Sequence, residues 1–218
     1  MKIIGQYYKA IFLNENHKPI FRVSSYDFGS GAKLMEHSWM KNPMVRFVER
    51  QLMTTPHRIV WAGDYADNEK PSTLTPIEIK VLSNEDSEYS NTEKIKENGV
   101  NLYDLSYLVG KLTHDISKSS ETEKAFDSAI APMNAKYLVN HTKKEFVDKS
   151  KTPKDDDGWQ IHPLPLLTCE GNLRGGGDYF SENGKEFVGI WARDMISVVI
   201  KKSDIPKGFT EIIVDFKE

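Results

Sequence analysis

Strand-like segments sit at both ends of this chain and helical spacing is confined to its middle, an order that narrows the possible folds more than any other feature. Residues 2–13 alternate apolar side chains on both faces: Ile4, Tyr8, Ala10 and Phe12 on one, Ile3, Tyr7, Ile11 and Leu13 on the other. Two apolar faces mean burial from two sides. The turn residues Asn14 to His17 and the return Pro19–Val23 predict a hairpin. At the far end, Phe187–Ile200 reads as a long strand and Thr210–Phe216 as a strand that closes the sheet. Between them, Pro43 opens a helix carrying Met44, Phe47, Val48 and Leu52 and ending before Pro56. Asn101 caps a second helix through Leu102, Leu105, Leu108 and Leu112, and a third runs from Glu121 to about Ile130. No βαβ alternation is visible, so the expected class is α+β, with a mixed, mainly antiparallel sheet. Strands at both termini favour one domain over two, so residues 1–218 are expected to form a single domain, with helices against one side.

The remaining segments fill in less regularly. Leu34–Met40 reads as a strand, His57–Ala62 as a buried strand running into Gly63, and Tyr137–Thr142 as a short strand. Pro163 and Pro165 bar the apolar run Trp159–Thr168 from being a central strand throughout. Residues 68–100 form a polar, acidic, loop-rich excursion with one apolar patch, and residues 149–158 an exposed loop.

With 218 residues, the chain can bury roughly 70% of its unfolded surface and needs no disulfide or metal staple. A lone cysteine, Cys169, and a start without a signal-like apolar region set the expectation of a soluble, cytoplasmic protein, and no apolar run is long enough for a membrane. The net charge of −3 conceals +5 over residues 1–60, −7 over 61–135 and −1 over 136–218. An isoelectric point near 6.1 argues against a nucleic-acid binder.

Candidate chemistry lies where polar residues interrupt or follow apolar strands. The sharpest such segment is Arg174-Gly175-Gly176-Gly177-Asp178. Consecutive glycines admit a ligand close to the backbone, successive N–H groups can cradle an anion, and Arg174 can add a bidentate phosphate contact. The competing reading is a tight connection with an Arg174–Asp178 ion pair. The loop matches neither a P-loop nor a dinucleotide fingerprint. Asp64, His141, His162 and Asp178 are the candidate acid–base residues, and Arg193 a further ligand-binding residue. For His141 and His162, buried hydrogen-bonded structure is the competing role. No His or Cys spacing marks a metal site. Cys169 follows an apolar run and reads as a packed, inert thiol. Arg193-Asp194 falls inside the long strand, where an unpaired charge is costly, so partners are expected among Asp64, Asp178 and Arg174.

Gly63-Asp64-Tyr65-Ala66-Asp67 resembles the Gly-Asp-x-x-Asp motif of metal-dependent phosphoesterases, and Asn140-His141 resembles their Asn-His dyad. The resemblance covers seven residues; no Asp-x-His precedes Asp64 and no Gly-His-x-His follows His141, so it transfers no function. Two expectations of function follow from the residues themselves. One is binding or processing of a phosphorylated or nucleotide-like small molecule through the Gly-rich loop and a polar pocket at strand ends. The alternative is a non-enzymatic accessory protein that binds another protein or nucleic acid. The sequence specifies no cofactor.

Overall fold

The computed structural model describes residues 6–70, 73–84, 92–110, 130–171 and 177–218. Its frame is a sheet of eight strands: β1 (Tyr8–Leu13), β2 (Pro19–Ser24), β3 (His57–Gly63), β4 (Tyr137–Asn140), β5 (Glu145–Asp148), β6 (Cys169–Glu170), β7 (Met195–Val199) and β8 (Thr210–Glu211). The order is β2-β1-β3-β7-β4-β5-β8, with β6 also on β3. Only β3–β6 and β5–β8 are parallel. The fold is therefore α+β, with the mixed, mainly antiparallel sheet that the segment order predicts. Strands from both ends of the chain meet at β3, whose His57 end pairs β7 and whose Trp61–Ala62 end pairs β6.

Six helices accompany the sheet among the described residues: α1 (Leu34–His37), α2 (Pro43–Thr54), α3 (Pro76–Asn84), α4 (Thr92–Asn98), α5 (Leu102–Leu105) and α6 (Pro163–Thr168). Asn42 caps α2, accepting from the N–H groups of Met44 and Val45, and Pro43 occupies the first turn, where no amide proton is needed. The buried side of α2 packs Met44, Phe47, Val48 and Leu52 on the sheet face formed by Ala10, Phe12, Ile59, Trp61, Ile196 and Val198.

The acidic excursion is not merely a solvated insert. Leu74, Leu82, Ile95, Val100, Leu102 and Leu105 cover the opposite face of the sheet, over Ile11, Leu13, Val60 and Ala62. Every residue of β1 is consequently buried, as its double apolar alternation requires. Helices therefore lie on both faces rather than one.

Five local expectations need correction. Residues 34–37 are helical, not extended: the Glu36 carboxylate reaches back to accept the Lys33 N–H at 3.0 Å, closing a turn that buries Leu34, Met35 and His37. Residues 163–168 form a helix whose two prolines fall in the first turn; its all-round burial erases any helical period. The long strand over 187–200 shrinks to β7, and the closing strand over 210–216 to the two residues of β8. Ahead of β7 come turns at Gly189 (φ 71°) and Arg193 (φ 67°), with Trp191 fully buried. The helix after Asn101 ends at Leu105 and tightens into a 3₁₀ turn over Ser106–Leu108. The helix expected from Glu121 lies almost wholly outside the described residues, and no helix among them is long and apolar enough to cross a membrane.

Candidate functional site

The register of the sheet decides first which sequence candidates can meet. Asn140 and His57 both pair Ile196, so the β4 end that carries His141 lies beside the first residue of β3. Asp64 follows the last residue of β3, seven residues further on. At about 3.3 Å per residue, the two groups are separated by roughly 20 Å along the strand. The Asp64/Asn140-His141 constellation of the phosphoesterase resemblance is therefore not assembled. Among the described residues, no group of three or more metal-ligating side chains gathers.

Asp64, Gly177 and Asp178 do come together, around the buried ring of Tyr8. Asp64 accepts the Tyr7 N–H at 3.1 Å and Asp178 the Met35 N–H at 2.9 Å. Burial raises both carboxyls above their usual range, against the pull of these backbone bonds. Gly177 is left-handed (φ 62°), and a Cβ there would lie 2.7 Å from the Tyr8 ring, so this glycine is a close packing contact. Arg174, Gly175 and Gly176 lie outside the described residues.

Arg193 pairs neither Asp64 nor Asp178. Its left-handed backbone turns the guanidinium onto Glu170, through Nε at 2.6 Å and through Nη2, and Nη2 also reaches Glu69 at 2.6 Å. Asp194 accepts from Asn140 Nδ2 at 2.8 Å. Because the strand begins only at Met195, the expected alternation of Arg193 and Asp194 across it does not arise. His141 is half-buried, its Nε2 2.7 Å from Ser197 Oγ and its ring edge-on to Phe209. Asp64 and Asp178 thus share one environment around Tyr8, while Arg193 and His141 each occupy another.

His162 has a different setting, beside groups with no motif to announce them. It is fully buried, and its Nδ1 caps α6 by accepting the Leu164 N–H. An accepting Nδ1 puts the proton of the neutral ring on Nε2, which faces Glu49 Oε1 at 3.0 Å. Lys149 Nζ donates to the same oxygen. Burial pushes the His162 pKa down, so the ring stays neutral. Burial alone would raise the Glu49 carboxyl, but the Lys149 ammonium and the His162 hydrogen bond outweigh it and hold it below the usual carboxylate range. The result is a buried Glu49–Lys149 ion pair steadied by a neutral imidazole.

Glu49 and Lys149 reach the wall of a cavity of about 320 Å³, lined also by Arg46, Lys136, Asn134, Met133, Ser150 and Gln160. α2 supplies Arg46 and Glu49 one turn apart on the same face. Residues 132–136 lead into β4, and Lys149 and Ser150 follow β5. Lys149 is buried rather than part of an exposed loop, because Asp148 caps the 3₁₀ turn that starts there. Lys136 pairs Asp148 at 3.2 Å. Arg46 gives Nε and Nη2 to the Ala131 carbonyl, at 3.0 and 2.7 Å, and no carboxylate faces it among the described residues. A second cavity of about 290 Å³, lined by Trp39, Trp159, Lys41, Lys154 and Asp157, shares Met40 and Gln160 with the first. Together the two linings carry five cations and two carboxylates.

This arrangement supports charge recognition better than proton transfer, since both nitrogens of His162 are engaged. Sequence reasoning missed Glu49, Lys136 and Lys149, because isolated charges on a helix and around two strands carry no spacing signature. Comparison of the chain with family models, curated proteins and solved structures finds no match.

Proposed function

We propose that this protein binds a phosphorylated small molecule in the cavity between α2, the segment leading into β4 and the turn after β5. The observation that carries the reading is Arg46. Its backbone-anchored guanidinium has no carboxylate partner among the described residues and lies on the same lining as the Lys136 and Lys149 ammonium groups. A guanidinium with a fixed plane is the side chain best matched to a phosphate edge. Glu49 and Asp148 neutralise the two lysines, so the excess charge that attracts an anion rests on Arg46. The acidic character of the chain as a whole makes this local excess more telling.

The reading keeps the phosphorylated small molecule expected from the sequence and moves its site from the Gly-rich loop to this cavity. Binding is proposed without turnover, because the one imidazole nearby is committed on both sides. Calorimetric titration with inorganic pyrophosphate tests it. The native chain should bind, and Arg46→Gln should weaken binding at least about tenfold, the value of one charge-assisted hydrogen bond. Absence of binding by the native chain, or equal binding by the variant, would refute the assignment.

A further inference from the structure

We infer that the second cavity is a ring subsite of the same site, which makes the ligand a nucleoside phosphate rather than an aliphatic phosphate ester. The inference rests on the anion site proposed above and adds a substrate class to it. Its starting point is Trp159, which stays 59% exposed although most tryptophans bury the bulk of their surface.

A loose loop would be the simplest cause of that exposure, and the hydrogen bonds rule it out. The Asp155 N–H donates to the Trp159 carbonyl at 2.9 Å, and the Trp159 N–H donates to Asp155 Oδ1 at 2.7 Å. Gly158 makes the reversal with φ 84°, and Lys154 pairs Gln160 across the base. The segment is a closed, cross-bonded turn that holds the indole out. Trp39 stands edge-on beside it, with ring centroids 5.8 Å apart and planes at 68°. That contact engages one side of the Trp159 surface and leaves much of the rest to solvent. The backbone of Trp39 is itself fixed by its pairing with Ile161.

An exposed, pre-positioned indole is a stacking platform for a planar ring, and stacking tolerates any base. Lys41 and Lys154 border it against one carboxylate, Asp157, so the platform is net positive and suits a phosphorylated ligand. Each cavity alone lies near the lower bound of small-molecule pockets, and Met40 and Gln160 line both, so the two are immediate neighbours. The phosphate-binding guanidinium and the stacking ring then line neighbouring cavities, as a nucleoside phosphate requires. A polynucleotide is disfavoured, because it needs a basic stripe continuing beyond these cavities and the chain is net acidic.

The test compares adenosine 5′-monophosphate, ribose 5-phosphate and a ten-nucleotide single strand by calorimetry and tryptophan fluorescence. The native chain should prefer the nucleotide to ribose 5-phosphate by about tenfold or more, with quenching, the low end of base–aromatic stacking. Trp159→Ala should remove that preference and leave ribose 5-phosphate affinity unchanged; Trp159→Phe should keep part of it. Because Trp159 is largely exposed, these variants should fold, and unchanged circular dichroism checks that they do. Equal affinity for nucleotide and ribose phosphate in the native chain overturns the ring subsite and leaves the anion site standing. Failure of every phosphate to bind overturns both. Tighter binding of the single strand than of the nucleotide overturns the small-molecule assignment in favour of nucleic acid.

Discussion

His37 and His162 are fully buried, and each has both ring nitrogens engaged in a way that requires a neutral imidazole. His37 donates from Nδ1 to the Gly31 carbonyl at 3.0 Å and accepts the Trp61 indole N–H on Nε2 at 2.8 Å. Burial lowers its pKa to about 4 from an ordinary 6.5, against the pull of the Gly31 bond. A histidine with a depressed folded pKa contributes stability that is complete above 6.5 and is lost as pH falls towards 4. The difference is worth about 3 kcal/mol. His162 shifts in the same direction, and the Glu49 carboxyl, held low, adds a loss beginning below pH 4.5. Urea unfolding should therefore show stability falling steeply between pH 6.5 and 4. In His37→Gln, which keeps an acceptor for Trp61, that acid limb should flatten, at a cost of about 1–2 kcal/mol at pH 7. An unaltered limb would show that His37 does not titrate with unfolding. Cys169 behaves as its apolar approach in the sequence implies. Its thiol is buried, donates to the Leu166 carbonyl at 3.2 Å, and burial pushes its pKa up to about 12. Iodoacetamide should leave the folded protein unlabelled at pH 8 and label it fully in urea, whereas rapid native labelling would place the thiol at the surface.

At the scale of elements, the chain declared its strands where burial imposed a period and hid its helices where burial removed one. β1, β3 and α2 were legible because apolar spacing and flanking turn or cap residues agreed. α6 was not, since six buried residues in a row look alike in any conformation. β5 was also missed, its four residues being too short to show alternation between Lys144 and the charged run after it. The Arg193 turn escaped for another reason: nothing local marks an arginine as left-handed, and its conformation is selected by the two distant carboxylates it joins. Those contacts tie β6 to the base of the excursion, where Glu69 pairs Val100. Arg193→Met should destabilise by about 1–2 kcal/mol, less than a fully buried pair because the guanidinium is partly exposed. Hydrogen exchange should accelerate in α3, α4 and α5 while α2 keeps its protection; uniform acceleration would mean that Arg193 supports the whole core. Gly177→Ala tests the other end of the sheet. The left-handed φ and the contact with the Tyr8 ring predict a loss of about 2–3 kcal/mol. A variant as stable as the native chain would show that Tyr8 can yield.

For the whole molecule, strands at both ends and helices between were enough to give the class, but not what covers each face of the sheet. The acidic excursion reads as a loop-rich, solvated insert because its polar residues outnumber its apolar ones. Yet the few apolar side chains of α3 and α4 join those of α5 in the cluster that covers Ile11, Leu13, Val60 and Ala62, and without them that cover is thinned. The geometry offers a direct test, since the Glu69 N–H donates to the Val100 carbonyl at 2.9 Å and the two ends of the excursion are neighbours. A four-residue Gly-Ser turn can therefore replace residues 70–99 without stretching the chain. The replacement removes Leu74, Leu82 and Ile95, whose burial is worth about 5 kcal/mol in sum, a low-end figure because the unfolded chain already buries part of that area. That loss is between about a third and the whole of the 5–15 kcal/mol that holds a typical domain folded. The shortened protein should bind a hydrophobic dye, lose its cooperative urea transition and aggregate. Retention of a sharp transition at the native urea midpoint would show that one covered face suffices. In that case the excursion would be an appendage of the fold rather than half of its core.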